Sequence, residues 1–257
     1  MTIYMQNATR PLKEAPMSEA VRKARVELAA AYRIFDMLGW SLLIFNHITL
    51  RVEGSEPRFL INPFGLHYSE ITASSLLLVD LEGNVLRESR WPMNRAGFVI
   101  HSALHESQPE AHCIMHTHTT TGMAVACLKD GLSPHNFYGA MLQGQVAYHD
   151  FEGITVEPGE KERLVRDIGD KRAVILRNHG LLAWGPSVPQ AFLTLWTLQQ
   201  ACDVQIAAAS AGAIHPVTPQ AIAISVRESG QGEKRTCDDV FAALRRKLDS
   251  VDPSYRE

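Results

Sequence analysis
Hydrophobic and polar positions follow two rhythms along this chain, and their order sketches its elements. Val21, Ala24, Leu28, Tyr32, Phe35 and Leu38 recur at helical spacing, with Arg22, Lys23, Arg25, Glu27, Arg33 and Asp36 between them. Ser18 suits the N-cap of that helix and Gly39 its stop, while residues 1–16, with Pro11 and Pro16, read as an irregular arm. Strand-like runs follow over 41–52 and 58–61, the second leading into the turn Asn62-Pro63-Phe64-Gly65. Residues 76–80 and 84–87 flank Leu81-Glu82-Gly83 as a hairpin would. A helical pattern over 96–106 precedes the short apolar strand 113–115, which runs directly into His116-Thr117-His118, with a further helix starting near Thr119. Residues 133–153 read as a loop rich in Gly, His and aromatics, and 159–168 as a helix. The apolar strand 173–176 runs into Arg177-Asn178-His179-Gly180. A long helix over 188–211, with Ser187 as N-cap and Gly212 as stop, is apolar enough in its second half to be buried by the sheet and by another subunit. A polar stretch, 228–234, and a helix over 238–248 complete a mixed sheet with helices on both faces.

At 257 residues and 46% hydrophobic content the chain can bury one sizeable core, so a single α/β domain over 1–257 is expected, with 216–257 as a C-terminal extension. A net charge of -3 gives no basic field for nucleic acid or anionic lipid. The four cysteines are scattered and form no CxxC pair, which argues against a disulfide framework or a thiolate zinc site and fits a reducing cytoplasm. The polar start and the absence of a long apolar run predict neither a signal peptide nor a spanning helix. No GxGxxG follows a strand, so nicotinamide chemistry is not indicated.

Chemistry is carried by histidine. In a strand, residues two apart face the same way, so His116 and His118 can present both rings to one point, and His179 follows a second buried strand whose end is where ligands gather in α/β sheets. Three neutral imidazoles would hold a divalent metal and leave a position for a substrate oxygen. A bare His-x-His pair is also what two hydrogen-bonded core histidines look like, and the residues alone leave both readings open.

The runs Asn94-Arg95-Ala96-Gly97-Phe98 to His101-Ser102-Ala103, His116-Thr117-His118-Thr119 and Arg177-Asn178-His179-Gly180 resemble the class II aldolase/adducin family in order and spacing, over roughly residues 18–215. The resemblance implies a three-layer α/β/α fold with a central, mostly antiparallel sheet. It also implies a homotetramer with sites near subunit interfaces, and His116, His118 and His179 as ligands of one divalent metal, zinc first, with manganese or iron(II) as alternatives. Asn46 and Gly65 match positions that bind the substrate phosphate in the sugar-phosphate aldolases, and Asn62 lies in the same turn as Gly65. Neighbouring positions differ, so a substrate carboxylate met by Arg95 is the alternative to phosphate.

In those aldolases a Glu four residues before the position of His101 acts as acid and base, and here that position is Gly97. The resemblance therefore leaves His101 or Tyr138, which aligns roughly with a family tyrosine, to move the proton. The expected activity is a metal-dependent carbon–carbon lyase acting on a small keto, hydroxy or hydroxy-aromatic acid, by decarboxylation or retro-aldol cleavage through an enolate. Two other classes are carried beside it: an iron(II) oxygenase on the same scaffold, and a non-catalytic adducin-like binding protein. Of the remaining histidines, His105, His112, His135, His149 and His215 read as loop or surface residues, with His135 and His149 in the loop that could line the site.

Overall fold
Ser18 accepts a hydrogen bond from the backbone N–H of Val21 and so caps helix α1 (Glu19–Met37), whose apolar stripe buries Leu28, Tyr32, Ile34 and Phe35. Gly39, at φ +73°, ends it as the sequence suggests. The computed structural model describes residues 17–54, 56–153, 159–229 and 234–257, with Arg95 and Ala96 described by backbone alone. The expected arm at 1–16 and part of the polar stretch 228–234 lie outside the described residues.

The strands are β1 (His47–Val52), β2 (Arg58–Ile61), β3 (Leu77–Val79), β4 (Cys113–Thr117), β5 (Val146–His149), β6 (Ala173–Leu176) and β7 (Gly180–Gly185). They form one seven-stranded sheet in the order β3-β2-β1-β4-β7-β6-β5. Every named pair is antiparallel except β5–β6, and β4 stands in the middle. The expected three-layer α/β/α arrangement with a mostly antiparallel sheet is what the chain adopts.

On one face Ile48, Leu50, Cys113, Met115, Leu181 and Ala183 pack against α1 and helix α6 (Val188–Ala211). On the other, Ile114, Val174, Leu176 and Leu182 meet helices α2 (Arg95–Ser107) and α5 (Glu160–Ile168). Complete burial of Phe192, Leu195 and Leu198 on α6 contributes about 1.5–3 kcal/mol each and fixes that helix against the sheet. The remaining helices are α3 (Thr120–Ala126), α4 (Phe137–Met141), α7 (Pro219–Glu228) and α8 (Lys234–Val251). Among the described residues no helix is long and apolar enough to cross a membrane.

Several boundaries differ from the sequence reading. The run 41–52 becomes strand only from His47, because pairing with β4 begins there. The second arm of the expected hairpin makes a single bridge, Val79 to Val85. The stretch 133–153 contains α4 and β5 as well as loop. Strand β7 is buried at every position, so it carries no alternation, and α7 has a face that is only half buried, with no residue fully enclosed.

Candidate metal centre
Side chains alternate across β4, so Cys113 and Met115 enter the α1/α6 layer while Ile114 and His116 face the α2 side. His118 lies one residue past the strand end and still meets His116, with the two Nε2 atoms 2.6 Å apart. The expected two-residue clamp is therefore present, although regular strand stops at Thr117.

His179 arrives from the β6–β7 hairpin. Leu176 pairs with Gly180, which closes a three-residue loop of Arg177, Asn178 and His179. Asn178 adopts φ +57°, a left-handed conformation that Asn tolerates better than most residues, and its N–H reaches the Ala126 carbonyl at 3.1 Å. Gly180 is needed for a different reason: a Cβ there would lie 2.3 Å from the Thr117 carbonyl and 3.0 Å from the His118 ring. The hairpin can thus press against the end of β4.

The result is a group of three histidines, His116, His118 and His179, whose candidate ligand atoms all lie within 4.8 Å of one another. It is the one such metal-ligating group among the described residues. His116 Nδ1 donates to the Leu181 carbonyl at 2.8 Å, so in the neutral ring Nε2 carries a bare lone pair directed into the group. Burial, reinforced by mutual repulsion, holds His116 well below the ordinary imidazole range and His118 at about 4, and burial lowers His179. All three are therefore neutral near pH 7, the form that ligates a metal. A backbone carbonyl fixing the far nitrogen of one ring is the usual support of a metal-binding histidine, so the donor set fits a divalent ion.

A second set of imidazoles lies on the same side of the sheet. His105 Nδ1 donates to the Ala111 carbonyl at 2.7 Å, leaving its Nε2 to accept from Thr49 Oγ1 at 2.8 Å. Thr49 must then accept from His101 Nδ1, 2.7 Å away, which leaves His101 Nε2 as a buried lone pair without a partner. Beside it, 4.2 Å between ring centroids, is His47, and its centroid is 5.6 Å from that of His116. The backbone of Gly97 and Phe45 lies beside the His47 ring, yet neither ring nitrogen meets a partner with hydrogen-bonding geometry. A buried polar atom left this way costs about 1–3 kcal/mol.

From the opposite layer, Gln199 and Asp203 of α6 brace the start of α3, immediately after His118. Thr119 Oγ1 donates to Gln199 Oε1 at 2.5 Å, and Gln199 Nε2 donates to Thr121 Oγ1 at 2.8 Å and to Asp203 Oδ1 at 2.7 Å. Thr121 donates to the same carboxylate. Thr119 therefore makes no side-chain cap on α3, having turned its hydroxyl to α6.

The other residues singled out from the sequence are dispersed. His101 is near the cluster but fully buried behind His47. Asn62 Oδ1 accepts from the buried Tyr32 hydroxyl at 2.9 Å, and that hydroxyl also accepts from Ile48 N at 2.8 Å and Asn62 N at 3.1 Å, so Asn62 ties β2 to β1 and α1. Asn46 is buried and donates to the Trp40 carbonyl at 2.9 Å, while its Oδ1 has no partner. Gly65, at φ +112°, lets the turn pass the Trp91 ring, 3.0 Å from where a Cβ would be. Arg95 opens α2, and its side chain lies outside the described residues.

Tyr138 lies apart from the histidines of its own chain. It packs edge-on to Trp196 at 5.5 Å and lines a cavity of about 720 Å³ with Met141, Arg172 and Ala173. Ala173 begins β6 and His179 follows its end, so within one chain Tyr138 is not placed to move a proton at the histidines. His149, read as a loop residue that could line the site, ends β5 instead, buried with Nδ1 on Asp167 at 2.8 Å. His47, Thr49, Gln199 and Asp203 had no assigned role in the sequence reading. The alternation of His47, Thr49 and Arg51 in a strand was the available signal, but its pairing with β4 was not.

The family model described as Class II Aldolase and Adducin N-terminal domain matches residues 26–206. The chain belongs to the class II aldolase/adducin family. It is 43% identical over 249 residues to a Pseudomonas aeruginosa protein named for aldolase class 2, covering 95% of this chain and 96% of that one. It is 47% identical over 192 residues to rat alpha-adducin, covering 73% of this chain and 26% of the longer protein. The solved structure of an L-fuculose 1-phosphate aldolase from Glaciozyma antarctica superposes with a TM-score of 0.80 at 30% identity, covering 95% of this chain and 97% of that one.

Proposed function
We propose that this family member is a divalent-metal-dependent carbon–carbon lyase, acting on a small keto, hydroxy or hydroxy-aromatic acid by decarboxylation or retro-aldol cleavage. The observation that carries this reading is the convergence of three neutral imidazoles, His116, His118 and His179, from the middle strand and the adjacent hairpin. These residues would hold the ion, zinc before manganese or iron(II). A divalent cation bound there supplies electrophilic stabilisation for negative charge that develops on a substrate oxygen during carbon–carbon cleavage.

The chain's own residues set limits on the chemistry. Gly97 provides no carboxylate at the head of α2, and the described carboxylates do not join the histidine group. Loss of carbon dioxide suits such a site, because the departing group leaves its electron pair behind and no base need first remove a carbon-bound proton. Retro-aldol cleavage requires a base for the substrate hydroxyl, and of the two residues expected to move the proton His101, with its bare Nε2, is the one near the cluster, buried behind His47. Burial of His116 and the apolar layer beneath it keep bulk water from one side of the group.

A second reading draws on the 47% identity to rat alpha-adducin: a binding module that keeps the fold without turnover. Both are tested by incubating zinc-, manganese- and iron(II)-loaded protein with panels of keto acids, hydroxy-aromatic acids and aldols, under nitrogen and in air, with products followed by NMR. Cleavage products from wild type and none from His118→Ala support the lyase. Turnover confined to iron and air would assign an oxygenase, and intact metal binding without turnover on any panel would favour the binding module.

A further inference from the structure
We propose that His47 is the side chain that contacts the substrate at this site, presenting a ring nitrogen to a hydroxyl or keto oxygen beside the three-histidine group. This inference rests on the lyase reading and deepens it.

The register of the sheet supplies the placement. His47 pairs directly with His116 across the β1–β4 ladder, so both rings leave the same face, 5.6 Å apart between centroids. The seat is equally specific. A Cβ on Gly97 would lie 2.4 Å from His47 Cε1, 2.6 Å from Nδ1 and 2.9 Å from Nε2, so the ring occupies a notch in α2 that a side chain at position 97 would fill.

The third observation concerns hydrogen bonding. His105 uses both ring nitrogens and His101 uses Nδ1, whereas neither buried nitrogen of His47 meets a partner with good hydrogen-bonding geometry, only the backbone of Gly97 and Phe45 lying beside the ring. A ring held for packing alone would lose nothing as a phenylalanine, and a structural polar ring would be hydrogen-bonded like His105. His47 is neither, and it stands against the group of imidazoles where a ligand would lie. A neutral imidazole offers one donor and one acceptor, which matches a single hydroxyl or keto oxygen better than the two charges of a phosphate.

The test uses the full chain loaded with zinc, as wild type, His47→Phe, His47→Gln and Gly97→Ala, the last displacing the ring without removing it. Two quantities are read for each: zinc stoichiometry by chelator competition, and the Kd of acetohydroxamate, a small probe carrying adjacent carbonyl and hydroxyl oxygens, by calorimetry. The expected result is one zinc per chain throughout. Acetohydroxamate affinity falls at least tenfold in His47→Phe and Gly97→Ala and recovers in part in His47→Gln. Should His47→Phe prove insoluble, the Gly97→Ala and His47→Gln pair carries the same comparison. Affinities within twofold of wild type, with zinc retained, would overturn the role of His47 and leave the lyase reading standing. Loss of zinc from the His47 variants would make His47 a metal ligand and overturn the proposal. A wild type that takes up no zinc, or binds zinc and no hydroxamate, would overturn the lyase reading and this inference with it.

Discussion
Two sets of histidines lie on the same side of one sheet and differ in how their ring nitrogens are used. His105 is closed: Ala111 takes one nitrogen, Thr49 the other, and the ring stacks on Phe59 at 4.2 Å. His116, His118 and His179 turn nitrogens toward one another, and neither nitrogen of His47 beside them meets a partner with good hydrogen-bonding geometry. Burial keeps every one of these rings neutral, so low pKa does not separate the two sets. Partners do. Where hydrogen bonds saturate a buried imidazole it serves the fold, and where they are withheld it is available to a ligand.

The comparison breaks most decisively on metal binding. His118→Ala is expected to weaken zinc affinity by about 100-fold or more, whereas His105→Ala leaves it within a few-fold and lowers thermal stability instead, both read by competition titration and scanning calorimetry. Equal loss of metal in the two variants would erase the distinction. Gly180→Ala should act on the open set and the fold together. Its Cβ would press on the Thr117 carbonyl, at an expected cost of about 1–3 kcal/mol in urea unfolding, with weakened zinc binding.

Acid should strike the closed set in metal-free protein. Burial, the largest cause, lowers His105 from the ordinary 6.5 to about 3, so below pH 6.5 the unfolded chain takes up protons that the folded chain refuses. Stability is therefore full above about pH 6.5 and falls progressively toward pH 3, by about 2 kcal/mol at pH 5 for this one residue. Denaturant midpoints at pH 7 and pH 5, in wild type and His105→Gln, check this, and a variant with an unchanged pH slope would contradict it. The smallest effect is expected from Tyr32→Phe, which removes the hydroxyl linking Ile48 and Asn62. It should cost about 1 kcal/mol of stability and leave zinc affinity unchanged, in keeping with a structural role for Asn62.

Much of this arrangement was legible in the sequence because it is local. Helix α1 announces itself through its apolar stripe, Ser18 and Gly39, and the short apolar run into His116 and His118 marks its strand. His179, distant in sequence and brought in by a hairpin, was a candidate from the apolar strand before it, and the family resemblance joined it to the pair. What escaped is relational. No local pattern shows that His47 pairs with His116, that Gly97 leaves room for the His47 ring, or that Gln199 and Asp203 hold the threonines after His118. The placement of Tyr138 was not legible either, because alignment gives order along the chain, whereas its position at the Ala173 end of β6 depends on how α4 docks beside α6.

The central claim, a metal held by His116, His118 and His179, is tested most directly by metal analysis of protein purified without added metal, comparing wild type with His118→Ala. The account requires close to one divalent ion per chain in wild type and its loss from the variant. Equal metal in both proteins, or none in either, would contradict it.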